Sequence, residues 1–246
     1  MLEVPEAFVA AARECDLIVH AAADPGSGMF ALDRKVLEAL LGGAGRGSGA
    51  TKILYTSGTW IYGDTADRRV DETAPVNPPG YGRLRVENER LVLEAGGLAL
   101  RPGCVYGRQG SLTSMWFAGA AAGALEIVGD GSARWALVHQ DDLAQAYIAA
   151  AESSRCGEIF NVSDPSESTV MEMAQSVARV TGYSGAISSL PVPEAIRKFG
   201  AFAECLAYDQ RLDSGKAERV LGWRPRHAGF LAEVEIYFES WRASAV

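Results

Sequence analysis

The chain has few of the side chains on which disulfide and metal chemistry rest: four cysteines and three histidines in 246 residues. Cys15, Cys104, Cys156 and Cys205 lie far apart with no C-x-x-C pair, so buried free thiols in a reducing cytoplasm fit better than disulfides or a metal site. Positive charge is also short. Twenty-three Lys and Arg face 31 Asp and Glu, for a formal net charge of −8. Nothing clusters the basic residues, which argues against a general nucleic-acid surface while leaving room for a locally basic pocket. No apolar run approaches a membrane span, and residues 2–6 lack the charged-then-apolar pattern of a leader. Internal repeats and low-complexity tails are missing too. What is present is a hydrophobic content of 48%, enough to core one domain, or a domain with a smaller lobe.

The chain is organised around residues 51–110. An apolar strand at 53–55 leads into the polar run Thr56, Ser57, Gly58, Thr59, Trp60; a Pro-rich loop follows, a helix opens at Tyr81, and a second strand spans 98–100. Strand, loop, helix, strand is one crossover unit of a parallel sheet. Such sheets bind ligands at the carboxyl ends of their strands, where the polar run falls. Tyr81, Arg85 and Glu89, spaced i, i+4, i+8, set a phenol, a guanidinium and a carboxylate on one helix face. Upstream, residues 6–14 read as a short amphipathic helix and the apolar run 17–23 as a buried parallel strand. His20 within it reads as a satisfied core histidine rather than a catalytic one. A helix over 32–41 carries Leu32, Val36, Leu37, Leu40 and Leu41 on one stripe. Residues 43–49 spell G-x-x-x-G-x-G, but they follow a helix and precede a strand. That order is the reverse of a dinucleotide loop, and the segment reads as a flexible connection.

Several motifs share one origin. Ile61-Tyr62-Gly63, Tyr81 on its helix, and the run from Arg101 and Pro102 to Gly107 resemble the extended short-chain dehydrogenase/reductase family, also called the NAD-dependent epimerase/dehydratases. So do His20-Ala21-Ala22 at a strand end, Gly129-Asp130-Gly131 with Arg134 and Val138-His139-Gln140-Asp141-Asp142, and the closing stretch with Leu221-Gly222-Trp223. The resemblance runs from about residue 15 to the C-terminus. It implies an α/β fold: an incomplete Rossmann-like doubly wound parallel sheet with a small C-terminal substrate lobe. Residues 1–110 would form the remainder of a Rossmann-like dinucleotide-binding domain, and 111–246 a mixed segment, mainly substrate lobe, returning strands and helices to the sheet. In the family a glycine-rich strand-turn-helix and two further strands precede the His-x-Ala-Ala strand, whereas this sequence begins about one turn before it. A truncation, a misplaced gene start and a degenerate relative all account for that. The chain alone is therefore expected to bind dinucleotide weakly, and its uncovered apolar sheet edge favours a homo-oligomer.

The resemblance also assigns roles. The cofactor would be NAD or NADP, lying against Ala21, Ala22, Ala23, Thr56, Ser57, Tyr81, Arg85, Arg101 and Pro102. Tyr81 would move the substrate proton, and Arg134 and Trp60 would meet a small-molecule substrate such as a nucleotide-sugar. Arg134 reads equally well as a surface salt bridge. Two family positions are changed: the loop Ser/Thr is Gly58 and the lysine is Arg85. Ser57 or Thr59 is left to supply a hydroxyl, and Arg85 the positive charge that favours a phenolate. With a glycine-rich module joined ahead of residue 1, Gly58→Ser and Arg85→Lys are each expected to raise turnover by roughly one to three powers of ten. Two functions follow: an NAD(P)-dependent epimerase, dehydratase or reductase, or a non-catalytic binding or regulatory relative that has lost the cofactor chemistry. Elsewhere, Asp141 or Asp142 is predicted to cap the helix 143–151, Asp71 and Glu72 to be a solvated pair or cap, and Met115, Trp116 and Phe117 to be core or pocket floor. A helix is predicted to end at Gly222 with Trp223 tucked beneath it.

Overall fold

A computed structural model describes residues 6–12, 14–23, 28–43, 51–108 and 110–244, apart from the side chains at 6–8, 43 and 81. In chain order the first half holds α1 (Glu6–Ala12), β1 (Leu17–His20), α2 (Met29–Gly43), β2 (Lys52–Thr56), β3 (Arg69–Val70), α3 (Arg83–Glu94), β4 (Leu98–Pro102) and β5 (Cys104–Tyr106). Then come α4 (Ser114–Ala121), β6 (Glu126–Val128), β7 (Leu137–His139), α5 (Gln140–Glu152), β8 (Glu158–Val162) and α6 (Val170–Thr181). The chain closes with β9 (Ser188–Leu190), α7 (Val192–Phe199), β10 (Arg211–Leu212), α8 (Gly215–Leu221) and α9 (Val234–Ser244).

The main sheet has four parallel strands in the order β1-β2-β4-β8. Alternation along β2 explains its two covered faces. Ile53 and Tyr55, with Ala99 of β4, pack against Val36, Leu37 and Leu40 of α2 and Val92 of α3. Leu54, with Leu98, Leu100 and Phe160, turns the other way onto Ala146 and Ala150 of α5 and Ala217 and Trp223. A third cluster builds the C-terminal lobe from Tyr106, Trp116, Phe117, Trp135, Met173, Phe230 and Tyr237 among others. Trp116 stacks on Trp135 at 5.2 Å, so the aromatic pair at 116 and 117 is core and only Met115 is exposed.

Several sequence expectations change. The run 17–23 is a strand only to His20, and of that strand only His20 is buried: among the described residues β1 pairs with β2 alone, with Val19 46% exposed. Helix α3 opens at Arg83 rather than Tyr81, because the extended backbone of Pro79 delivers the chain into a 3-10 turn at Gly80–Gly82. The cap of α5 is His139, whose Nδ1 accepts from the Asp141 amide at 3.2 Å. Asp142 is instead buried, taking the amides of Arg226 and His227 at 3.0 Å each and so tying the C-terminal segment to α5. Glu72 is no solvated carboxylate: its Oε1 accepts from the Asn161 amide of β8 at 2.6 Å, and burial raises its pKa. The four cysteines form no disulfide, but only Cys205 is buried and Cys15 and Cys156 are exposed. Helix α8 does end at Gly222, whose φ of 68° is left-handed, with Trp223 buried below. Most of the glycine-rich run at 43–49 lies outside the described residues; the connection leads from α2 to β2, helix to strand.

Candidate active site

The register that sets His20 beside Tyr55 brings the carboxyl ends of β1 and β2 together. Beyond them lies an open cleft lined by Ala21, Ala22, Ala23, Met29, Phe30, Asp33, Thr56 and Arg85. Four predicted cofactor neighbours and the guanidinium therefore share one wall, and three exposed alanines keep its floor low. Thr56 Oγ1 lies 2.6 Å from the Tyr147 hydroxyl of α5, which fixes the rim of β2 to the helix behind it.

Asp33 is the residue that sequence reasoning missed. Its Oδ1 lies 2.5 Å from His20 Nε2, and its Oδ2 accepts from the Tyr55 hydroxyl at 2.6 Å and from Asn88 Nδ2 at 3.1 Å. Asn88 also donates to the Phe30 carbonyl at 3.1 Å. Two strands and two helices are thus tied at one carboxylate under the cleft. Burial pushes the Asp33 carboxyl up, but its donors, His20 first, outweigh burial and hold the pKa below the usual 3.8. The signal was a charge on an apolar stripe: Asp33 stands at helical spacing from Val36, Leu37 and Leu40. His20 is buried and satisfied, as expected.

Arg85 reaches over the end of β2. Its Nη1 donates to the Ser57 carbonyl, and its Cζ lies 4.6 Å from the centre of the Phe30 ring. Ser57 itself is 2% exposed, with its hydroxyl lacking a hydrogen-bond partner, and it is not among the residues lining the cleft. Thr59 is likewise buried, and its carbonyl accepts from Gln210 at 2.9 Å. Tyr81 is in the turn that opens α3, one helical turn before Arg85; its side chain is outside the described residues.

The remaining predicted residues are engaged elsewhere. Arg101 is buried, and it spends its fork on Glu89 at 3.0 and 2.5 Å and on the Tyr62 hydroxyl at 2.6 Å. It is not among the residues lining the cleft, and Pro102 is buried with it at the end of β4. Trp60 packs on the lobe core and stacks on Phe202 at 6.4 Å. Arg134 pairs with Asp209 at 3.4 Å and with Asp67 at 3.7 Å, the salt-bridge alternative. Outside the cleft, His139, Asp141 and His227 bring possible ligand atoms within 4.8 Å of one another. The two imidazoles, however, lie face to face at 3.5 Å, so their lone pairs run side by side instead of converging on one ion.

A profile of the NAD dependent epimerase/dehydratase family matches residues 4–163, more than half of the chain. The chain belongs to that family. Among its relatives, an uncharacterised protein of Sinorhizobium fredii is 29% identical over 220 residues, covering 80% of this chain and 55% of its own length. The UDP-glucose 4-epimerase of Mycolicibacterium smegmatis is 28% identical over 213 residues, covering 79% and 64%. This epimerase/dehydratase chain therefore spans between about half and two thirds of those relatives. The crystal structure of dTDP-glucose 4,6-dehydratase from Bacillus anthracis in complex with NAD superimposes with a TM-score of 0.82 at 17% identity, over 98% of this chain and 78% of that one. The likeness shows that the sheet order seen here is the Rossmann-like fold of the family. Among the described residues no helix is long and apolar enough to cross a membrane.

Proposed function

We propose that this chain carries the nicotinamide and substrate side of an NAD-dependent oxidoreductase that epimerises, dehydrates or reduces a nucleotide-sugar or a similar small hydroxy or carbonyl compound. The observation that carries this reading is the cleft itself: a low alanine floor at paired strand ends, with Thr56 and Arg85 on its wall. Small side chains there leave room for a flat ring to lie against the strand ends. A nicotinamide in that place supplies or takes the hydride. Tyr81, one turn before Arg85, gives or takes the proton of the substrate hydroxyl, and the guanidinium's charge favours the phenolate form it passes through. The names of the relatives, a UDP-glucose 4-epimerase and a dTDP-glucose 4,6-dehydratase, support a nucleotide-sugar as the substrate class.

A second reading draws on Arg85. A guanidinium held by the Ser57 carbonyl and the Phe30 ring is already occupied, as in a relative that binds ligand without turning it over. One substitution separates binding from chemistry. Ala22 is exposed on the cleft floor, so Ala22→Leu fills the cleft at little cost to folding. With the family's glycine-rich module joined ahead of residue 1, NADH fluorescence is expected to titrate saturably. Ala22→Leu is expected to weaken that binding by roughly ten- to a hundredfold, the scale of a steric clash of 1–3 kcal/mol. Unchanged affinity would remove the cleft from the reading.

A further inference from the structure

The two departures from the family pattern, glycine at 58 and arginine at 85, meet in space. Gly58 is extended, with φ 174° and ψ 159°, a conformation open to any residue, so the backbone does not call for glycine. Arg85 does. A Cβ built on Gly58 would stand 2.9 Å from Arg85 Nη1 and 3.9 Å from its Cζ. The guanidinium lies across the place where a side chain at 58 would project, fixed there by the Ser57 carbonyl and the Phe30 ring. Its Nε is buried without a partner, and among the described residues no carboxylate forms an ion pair with it. A buried donor left without an acceptor is costly unless something fills its place.

We propose that Gly58 and Arg85 form one unit: Gly58 seats the guanidinium at the cleft wall, and Arg85 there replaces the missing loop hydroxyl as hydrogen-bond donor to an oxygen of the ligand. This rests on the reading of the cleft as the substrate and nicotinamide site. A hydroxyl both donates and accepts, whereas a guanidinium only donates. The unit therefore anchors an acceptor oxygen, that of a carbonyl, carboxylate or phosphate, and offers nothing to a hydroxyl hydrogen. It also predicts that the two reversions do not act independently. Ser at 58 alone pushes the guanidinium off its seat. Lys at 85 alone leaves neither fork nor hydroxyl. Only the pair together places a hydroxyl at 58 beside a compact ammonium at 85.

The test is a four-protein cycle on the chain: the parent, Gly58→Ser, Arg85→Lys and the double variant, each unfolded in urea with the Arg85 Nε–H resonance followed by NMR where the arginine remains. The clash is with the far end of a flexible side chain, so Gly58→Ser is expected to fold and to lose the protected Nε–H signal. Its folding constant should drop by about tenfold, the scale of one charged hydrogen bond with a ring contact. With Lys at 85 the same serine should change it by less than about twofold. Equal effects in the two backgrounds would overturn the unit, whatever the activity. In the parent, inorganic phosphate should move the Nε–H resonance saturably while glycerol does not. A resonance unmoved by phosphate would overturn the donor role. A coupled cycle and bound phosphate, with no turnover of any nucleotide-sugar, would count against hydride transfer and leave the unit standing.

Discussion

At the scale of single residues, Asp33 decides the shape of the cleft. It takes donors from His20, Tyr55 and Asn88, which come from β1, β2 and α3, while its own backbone belongs to α2. Asp33→Ala would leave three buried donors facing a hole. Loss of one partner from a buried charged network costs about 3–5 kcal/mol, and urea unfolding should show a loss in that range. The same carboxyl gives a pH dependence. Its folded pKa lies below the ordinary 3.8, so its contribution is complete above that value and is lost as pH falls through the lower folded value. Acid unfolding of Asp33→Asn should lack this component, and a parent-like acid midpoint would contradict the assignment. His139 titrates with the same sign for a different cause. Burial first, then the His227 ring stacked at 3.5 Å, hold its pKa below 6.5 against the pull of nearby carboxylates. The unfolded chain therefore takes up the proton first, and stability falls as pH drops below 6.5. His139→Asn keeps a capping acceptor for α5 and should flatten that slope when unfolding is compared across mildly acidic pH. A slope as steep as the parent's would place the titration elsewhere.

At the scale of elements, what was legible followed from period and punctuation. The apolar triplet at 53–55, the stripe of α2 and the Gly222 stop predicted β2, α2 and the end of α8, because side-chain alternation and a left-handed cap are local properties. The site was legible only in part. Ala21, Ala22, Ala23, Thr56 and Arg85 come together as their motif positions suggest, but nothing local says that Arg101 turns away to Glu89 or that Asp33 collects three donors. Those pairings join residues 12 to 55 positions apart and are set by packing. The burial of β1 was misread for a related reason: an apolar run says what a strand tolerates, while its neighbours decide what it gets. Among the described residues β1 pairs with β2 alone, which leaves its other edge open, and Val19 is 46% exposed. An uncovered parallel edge of Leu, Ile and Val favours pairing with another chain. Light scattering of this chain should show association that grows with concentration and that Val19→Lys reduces. A stable monomer at all concentrations would count against an open edge.

At the scale of the whole molecule, two cores sandwich the sheet and a third fills the C-terminal lobe. Asp142 links them: it sits on α5, which packs on the sheet, and binds the amides at 226 and 227 that lead into the lobe's Phe230 and Tyr237. The lobe's position relative to the cleft thus depends on a few buried polar ties rather than on the apolar packing alone. Under the proposed function, Tyr81 passes a substrate proton beside a nicotinamide in the cleft of β1 and β2. A single-turnover experiment tests it most directly. The module-joined protein, loaded with NAD+, is mixed with UDP-glucose and other nucleotide-sugars, and the near-ultraviolet absorbance of reduced nicotinamide is followed. A rise is expected for at least one nucleotide-sugar in the parent, with a loss of about a hundredfold or more in rate for Tyr81→Phe, the scale of a removed general acid–base group. A rise that Tyr81→Phe leaves unchanged, or bound NAD+ that no nucleotide-sugar reduces, would contradict it.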